Sequence, residues 1–287
     1  MKLDDSRRSD NVEDQRGSGF GGRGAGIGIG TIVIVVIGYF MGVSPSTLLS
    51  LLNGDQQAAT APAPAVQGTD SAPDPQVDFV RAILGETEDV WGSYFERMGK
   101  TYSPPKLVLF SGATASACGN ASSASGPFYC PGDQKVYIDL SFYRQLATQF
   151  GAPGQFAQAY VIAHEVGHHV QNLLGITDKA EQLESRGGRT GANGASVRVE
   201  LQADCFAGVW AEQANKARKI LEPGDLEQGL QAASSVGDDT LQKREQGTVV
   251  PDSFTHGSSA QRVKWFRRGF EAGTLDNCDT FSAGTAL

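Results

Sequence analysis

The stretch from Gln155 to Leu174 reads QFAQAYVIAHEVGHHVQNLL, and the interpretation of the whole chain begins with it. Its apolar residues recur every three to four positions, which predicts an amphipathic helix. On such a helix His164 and His168 project from one face, because residues four apart differ by about 40° around the axis. Two imidazoles placed in this way can share one metal ion. Glu165 then lies beside the pair without being a ligand.

The alternative is a helix that carries two solvated histidines and an incidental glutamate, since short patterns do match by accident. The context favours a metal, because the motif falls inside an apolar-periodic helix of a chain with only four histidines. Zinc lowers the pKa of a bound water to about 7, and a carboxylate such as Glu165 can take its proton and deliver it to a leaving amine. The motif therefore predicts a zinc-bound water with Glu165 as general base.

Such a site needs a third protein ligand. The four histidines are His164, His168, His169 and His256. His169 lies about 140° around the helix from His164, too far to join the same site. The metzincin extension fails, because Gln171 and Leu174 stand where that pattern needs glycine and histidine. A carboxylate is the better candidate, as in sites with two histidines and one glutamate.

The sequence ELQAD at Glu200–Asp204 offers two carboxylates one turn apart on a predicted helix. We expect Glu200 to complete the metal shell and Asp204 to accept a hydrogen bond from the far nitrogen of a ligand histidine, which fixes its tautomer. Taken alone, such a pair is more often a solvated acidic stripe. The need for a third ligand favours the metal role, and a thiolate from Cys205 is the other candidate ligand.

Residues 25–43 contain no charge and are long enough to cross a bilayer, whose hydrocarbon core needs about 20 apolar residues. The alternative is a cleaved signal peptide. Against it, a long polar segment precedes the apolar run and no clear small-x-small cleavage site follows at once. Gly26 and Gly30 have the small-xxx-small spacing of closely packed transmembrane helices, which allows self-association. The segment predicts one uncleaved transmembrane helix.

Lys and Arg residues cluster before this segment, and none follows it until Arg81. That asymmetry predicts a single-pass membrane protein with a cytoplasmic N-terminus and an extracytoplasmic catalytic domain, in the periplasm or at the cell exterior. The domain prediction follows: a cytoplasmic tail at 1–24, the transmembrane helix at 25–43, a flexible linker rich in Ala and Pro at 44–76, and one folded domain at 77–287.

The folded domain is predicted to be α+β and predominantly helical. Its first helix begins near Val77, with an interruption at Gly85. Strands are predicted at 106–110 and 135–139, and further helices at 141–150, 154–174, 196–221, 224–236 and 259–272. The formal net charge of −8 offers no basic surface, so nucleic acid is not an expected partner.

Four cysteines suit two disulfides in an exported domain. Four cysteines allow three pairings, and locality favours Cys118 with Cys130 and Cys205 with Cys278.

The HEVGH motif, the later ELQAD and the apolar segment near the start together resemble the bacterial family of neutral zinc metallopeptidases. The resemblance extends over nearly the whole chain and includes RSDNVED at Arg8–Asp14, CPG at Cys130–Gly132 and THGS at Thr255–Ser258. ELQAD also resembles the glutamate-zincin pattern, in which the glutamate is the third ligand and the aspartate supports a zinc histidine. The resemblance implies a zincin-like fold, one Zn²⁺ per chain and a polypeptide substrate.

Resemblance to the zincins also implies a cation donor opposite the zinc, and His256 or Arg262 could hold the developing oxyanion. It further suggests that the strand at 135–139 pairs with an extended substrate, although that strand could equally be internal. The function predicted is that of a membrane-anchored zinc metalloendopeptidase. Two alternatives stay open: a non-catalytic assembly or interaction module that keeps zinc for stability, and a zinc amidase that acts on the cell wall.

Overall fold

The computed structural model of the chain describes residues 1–17, 74–185, 189–282 and 285–287. The predicted transmembrane helix at 25–43, and the predicted linker up to residue 73, lie outside these ranges and stay predictions. Among the helices that are described, none is both long enough and apolar enough to span a membrane. The folded unit joins Met1–Gly17 to Pro73–Leu287.

The described residues are mixed α+β with helices dominant, as predicted. The strands are β1 (Val12–Asp14), β2 (Lys106–Phe110), β3 (Ala113–Ser116), β4 (Gly119–Ser122), β5 (Phe128–Cys130) and β6 (Lys135–Asp139). The helices are α1 (Pro75–Arg97), α2 (Ser141–Thr148), α3 (Gln155–Leu173), α4 (Ile176–Ser185), α5 (Ala195–Arg218), α6 (Asp225–Ser235), α7 (Asp238–Gln246) and α8 (Ser259–Ala272). The predicted β2, β6 and α8 have the observed bounds, whereas the short β1, β3, β4 and β5 and the polar α4 and α7 were not predicted.

Four strands form one sheet in the order β1-β2-β6-β5, and β3 pairs with β4 in a separate hairpin. β2 runs parallel to both of its neighbours, and β5 is antiparallel to β6. Of the two interpretations left open for β6, the internal strand is therefore correct. β1 and β5 are the two edge strands of the sheet, because no other described strand pairs with their outer sides.

Helix α1 begins where Asp74 caps it by accepting a hydrogen bond from the backbone N–H of Gln76, with Pro75 in its first turn. The predicted interruption at Gly85 is wrong, since the helix runs through that position. A Cβ at Gly85 would lie 2.4 Å from the backbone oxygen of Arg7. Gly85 thus allows the N-terminal peptide to lie directly on the helix.

Residues 1–17, the N-terminal peptide, are part of this fold. β1 pairs with β2, and Arg8 forms two hydrogen bonds with the carboxylate of Asp78 on α1. The buried carboxylate of Glu88 accepts hydrogen bonds from three side chains of the peptide, which are Arg7, Ser9 and Asn11. The predicted domain start at Val77 therefore left out a strand and its contacts, because VED at 12–14 is too short to be recognised as a strand from its own pattern.

Helix α3 contacts β5 and β6 and packs against α1, α5 and α6, while α8 packs on α5 and α6. Close helix crossings depend on glycine. A Cβ at Gly167, inside the HEVGH motif, would lie 3.0 Å from the backbone oxygen of Ala203 on α5. The crossing of α3 and α5 therefore occurs at the level of the predicted metal ligands.

Both predicted disulfides are confirmed, Cys118 with Cys130 and Cys205 with Cys278. The first ties the β3–β4 hairpin to the edge strand β5. The second ties α5 to the segment that follows α8.

Candidate metal centre

Three ligand atoms converge between α3 and α5. His164 Nε2 lies 3.2 Å from His168 Nε2 and 3.1 Å from Glu200 Oε2. His168 Nε2 lies 3.4 Å from Glu200 Oε1. Among the described residues, these three are the group of His, Cys, Asp and Glu side chains that could hold a metal ion, with ligand atoms within 4.8 Å of one another.

The other ring nitrogen of each histidine has an acceptor of its own. His164 Nδ1 lies 2.9 Å from Asp204 Oδ1, as expected of Asp204, and His168 Nδ1 lies 2.9 Å from Gln171 Oε1. The Gln171 amide nitrogen donates to the backbone oxygen of Val199, which directs Oε1 at His168. These contacts hold an Nδ1 proton on each ring, so Nε2 is the atom that each ring presents to a metal once it carries no proton.

Asp204 lies fully buried beneath the site and accepts hydrogen bonds from Tyr160, His164 and Arg262. Burial by itself would raise the pKa of Asp204, but the charges of Arg262 and His164 outweigh burial and lower it. Burial by itself would lower the pKa of His164, but Asp204 and Glu200 raise it to about 10. Asp204 is consequently an ionised acceptor that holds the His164 ring.

Glu165 is the next residue of α3 and lies at the wall of a cavity of about 620 Å³, together with the three candidate ligands. This volume suits a ligand of several residues or a drug-sized molecule. The cavity is also bounded by Phe128 and Tyr129 of the edge strand β5. An extended chain lying along β5 would pass the metal ligands and Glu165.

His256 lines the same cavity. Its backbone N–H donates to Asp238 Oδ2 at 2.7 Å, and its Nδ1 lies 3.2 Å from Asp238 Oδ1. The hydrogen bond that the His256 ring donates to the Asp238 carboxylate raises the pKa of His256. Asp238 thus holds the ring at Nδ1 and leaves Nε2 available, an arrangement that suits a hydrogen-bond donor to substrate.

Two other candidate ligands are excluded. His169 is buried on the far side of α3, with Nδ1 3.1 Å from the Tyr129 hydroxyl and Nε2 2.7 Å from the backbone oxygen of Ser103. Cys205 is joined to Cys278, so it has no thiolate to offer a metal. The ligand alternative at Cys205 is therefore wrong.

Sequence reasoning missed three residues that support the site, Tyr160, Gln171 and Asp238. Both Tyr160 and Gln171 lie on α3. Tyr160 comes four residues before His164 and Gln171 comes three residues after His168, so helical periodicity could have indicated them. Asp238 begins α7, a helix that was not predicted, and no local pattern connects it to His256.

The model of the family described as "Putative neutral zinc metallopeptidase" matches residues 1–281. The chain is 49% identical over 291 residues to the uncharacterized protein YpfJ of Escherichia coli K12, covering 98% of this chain and 99% of that protein. It is 42% identical over 253 residues to the uncharacterized protein Rv2575 of Mycobacterium tuberculosis H37Rv, covering 85% of this chain and 84% of that protein.

No solved structure matches the chain. The extent of the family match agrees with the resemblance drawn from HEVGH and ELQAD, and it includes the N-terminal peptide as well as the candidate metal centre. The chain therefore belongs to the family of putative neutral zinc metallopeptidases.

Proposed function

We propose that this protein is a zinc metalloendopeptidase that hydrolyses peptide bonds in a polypeptide substrate, with one Zn²⁺ held by His164, His168 and Glu200. The observation that carries the proposal is the convergence of these three ligands beside Glu165 on the wall of one open cavity. A purely structural site is normally closed by four protein ligands, whereas three ligands and an open position suit catalysis.

The donor set fits zinc. Two imidazoles with their Nδ1 protons bound by Asp204 and Gln171, together with one carboxylate, form the two-histidine, one-glutamate set of catalytic zinc sites. When bound there, zinc supplies Lewis-acid activation of a water and of the substrate carbonyl. Glu165 takes a proton from the attacking water and passes it to the leaving amine, which general acid–base catalysis allows without any further residue.

His256 is proposed to stabilise the oxyanion. The Nδ1 contact with Asp238 orients the ring and favours its protonated form, and a protonated Nε2 can donate to the negative oxygen. Removal of one such donor typically costs about 10² to 10³ in turnover. His256 therefore acts on the reacting carbonyl and not on metal binding.

The substrate is proposed to bind as an added strand along β5. This proposal replaces β6, which lies inside the sheet, with the edge strand that borders the cavity. Phe128 and Tyr129 bound the cavity at this edge, so main-chain pairing there would direct a scissile bond towards Glu165.

For localisation, we propose an oxidising compartment outside the cytoplasm and attachment to the membrane through residues 25–43. Two disulfides favour such a compartment. The pairing of β1 with β2 supports the same compartment for residues 1–17, whereas the Lys/Arg asymmetry predicts a cytoplasmic N-terminus. The Lys/Arg asymmetry that predicts topology counted three arginines that bind carboxylates of the folded unit, Arg7, Arg8 and Arg16. We therefore propose that residues 1–17 and 74–287 share one compartment, which the predicted single crossing at 25–43 would not allow.

The proposal is tested with Glu165→Gln in the full-length protein. We expect the variant to bind one zinc ion as the wild type does, because Glu165 is not a ligand, and to lose about 10²- to 10⁴-fold in turnover of an unfolded protein substrate. Isolated cell wall is the parallel substrate. Wild-type activity on cell wall alone would favour the amidase, and no activity on either, with zinc bound, would favour the assembly module.

A further inference from the structure

We propose that Arg262 is a positioning residue of the metal centre. It holds the carboxylate of Asp204, and through it the ring of His164, in the orientation that binds the metal. The proposal rests on the proposed function only in taking zinc as the ligand of this site. It also assigns the oxyanion role to His256 alone, whereas the resemblance to the zincins allowed either His256 or Arg262.

The contact between Arg262 and Asp204 is a two-pronged ion pair. Arg262 Nε donates to Asp204 Oδ2 at 2.8 Å, and Arg262 Nη2 donates to Asp204 Oδ1 at 3.0 Å. Because the planar guanidinium donates a hydrogen bond to each carboxylate oxygen, the carboxylate cannot rotate. Asp204 Oδ1 is also the atom 2.9 Å from His164 Nδ1. The orientation of the Arg262 guanidinium therefore fixes the position of the carboxylate oxygen that accepts the hydrogen bond from His164.

The remaining donors of Arg262 are directed at the protein. Nη2 lies 3.1 Å from the Tyr160 hydroxyl, and Nη1 lies 3.3 Å from the backbone oxygen of Val236. The Arg262 side chain is only 5% exposed. A group that stabilises an oxyanion must present a free donor to the substrate, as the half-exposed His256 can. Arg262 also borders the cavity, but its Nε, Nη1 and Nη2 atoms each have an acceptor in the protein.

The fold fixes the position of Arg262 without any ligand. Helix α8 starts with a capping box, in which Ser258 and Gln261 each accept from the other's backbone N–H. Further along α8, a Cβ at Gly269 would lie 1.9 Å from the backbone oxygen of Cys205 on α5. Only glycine permits so close a crossing. Arg262 and Gly269 are two turns apart, so the same face of α8 that meets α5 delivers the guanidinium to Asp204.

Loss of Arg262 would leave a buried carboxylate without its cation. Removing one partner of a buried pair is strongly unfavourable, since the remaining charge has neither solvent nor counter-ion. Asp204 would then reorient or admit water, and His164 would lose a fixed acceptor. Loss of such outer contacts typically weakens metal binding about 10- to 100-fold. The effect of Arg262 should therefore be measured on zinc affinity before turnover.

The experiment measures zinc affinity of the full-length protein by competition with a chelator. We expect Arg262→Met to bind zinc about 10- to 100-fold more weakly than the wild type. The zinc affinity of Arg262→Lys should lie between the two, because lysine restores the charge but cannot donate to both carboxylate oxygens in one plane. Arg218→Met is the matched control. It breaks another pair with a buried carboxylate, that of Glu86, and should leave zinc affinity unchanged.

A double variant tests the route through Asp204. If Arg262 acts only through that carboxylate, Arg262→Met adds nothing further to the affinity lost in Asp204→Asn. The unfolding temperature of the zinc-free proteins reports folding, and Arg262→Lys carries the test if Arg262→Met does not fold. Wild-type zinc affinity in both Arg262 variants would overturn the proposal, and a loss of turnover alone would return Arg262 to the oxyanion role. Failure of the peptidase proposal would appear separately, as zinc-loaded wild type without activity.

Discussion

The side chains of Arg16 and Asp74 form an ion pair although they are 58 residues apart in sequence, with Arg16 Nη1 2.9 Å from Asp74 Oδ2. Asp74 is also the N-cap of α1, so the same carboxylate binds the last arginine of the N-terminal peptide and caps the first helix. The residues on either side of the interval 18–73 thus lie next to each other in the folded unit. The proposal that residues 1–17 share the compartment of the folded domain rests on this relationship.

The first prediction concerns that compartment. All four cysteines are in disulfides, so one introduced cysteine would be the only free thiol. Asp10 and Met98 are both exposed, the first on the N-terminal peptide and the second after α1. We expect Asp10→Cys and Met98→Cys to react equally with a membrane-impermeant maleimide added to intact spheroplasts. Labelling of Met98→Cys alone, with Asp10→Cys labelled only after lysis, would show that the peptide stays in the cytoplasm.

The second prediction separates Glu200 from Asp204. Glu200→Ala removes one of three ligands, so zinc content should collapse and added zinc should restore little. Asp204→Asn keeps an acceptor of similar shape but loses the charge, so it should bind zinc about 10- to 100-fold more weakly and recover in excess zinc. Metal analysis across a zinc titration measures both. The reverse order, with Asp204→Asn empty and Glu200→Ala loaded, would exchange the two roles.

The third prediction concerns His256 and Asp238. His256→Gln should keep zinc and the Michaelis constant for a peptide substrate, and lose about 10²- to 10³-fold in turnover, because the donor acts on the transition state. Asp238→Asn should lose less, since it only weakens the orientation of the ring. Steady-state kinetics on the zinc-loaded proteins measure the turnover and the Michaelis constant of each variant. Loss of zinc from His256→Gln would instead make His256 a metal ligand.

The fourth prediction compares the two disulfides. Cys205 and Cys278 are 73 residues apart, and Cys118 and Cys130 only 12. If the disulfides act by restricting the unfolded chain, paired Cys→Ser changes should lower the free energy of unfolding by about 4 kcal/mol for the first and about 3 kcal/mol for the second. The first should also lower zinc affinity, because Cys205 follows Asp204 on α5. Denaturant unfolding and zinc competition test both statements, and equal zinc affinity in the two variants would contradict the second.

Local pattern was sufficient for much of the fold. The spacing of apolar residues determined α3, α5 and α8, because periodicity records which face of a helix is buried. Short runs of mainly apolar residues determined β2 and β6. The pairing of His164 with His168 also followed from local geometry, since four residues make about one helical turn. Glu200 was inferred from the need for a third ligand, and Cys118–Cys130 and Cys205–Cys278 from locality.

Only the tertiary structure decided which elements meet. Gly167 and Gly269 set the crossings of α3 and α8 with α5, and so bring Arg262 to Asp204, but a glycine in a sequence does not reveal its neighbour. β1 and β5 are too short for a periodic pattern to be recognised. β1 nevertheless brings residues 1–17 into the sheet, and β5 forms the sheet edge that borders the cavity. The arginines of the N-terminal peptide had the pattern of a membrane topology signal, and their partners are carboxylates of α1. Sequence determines the local period of each element, whereas long-range contacts depend on how the packed surfaces fit one another.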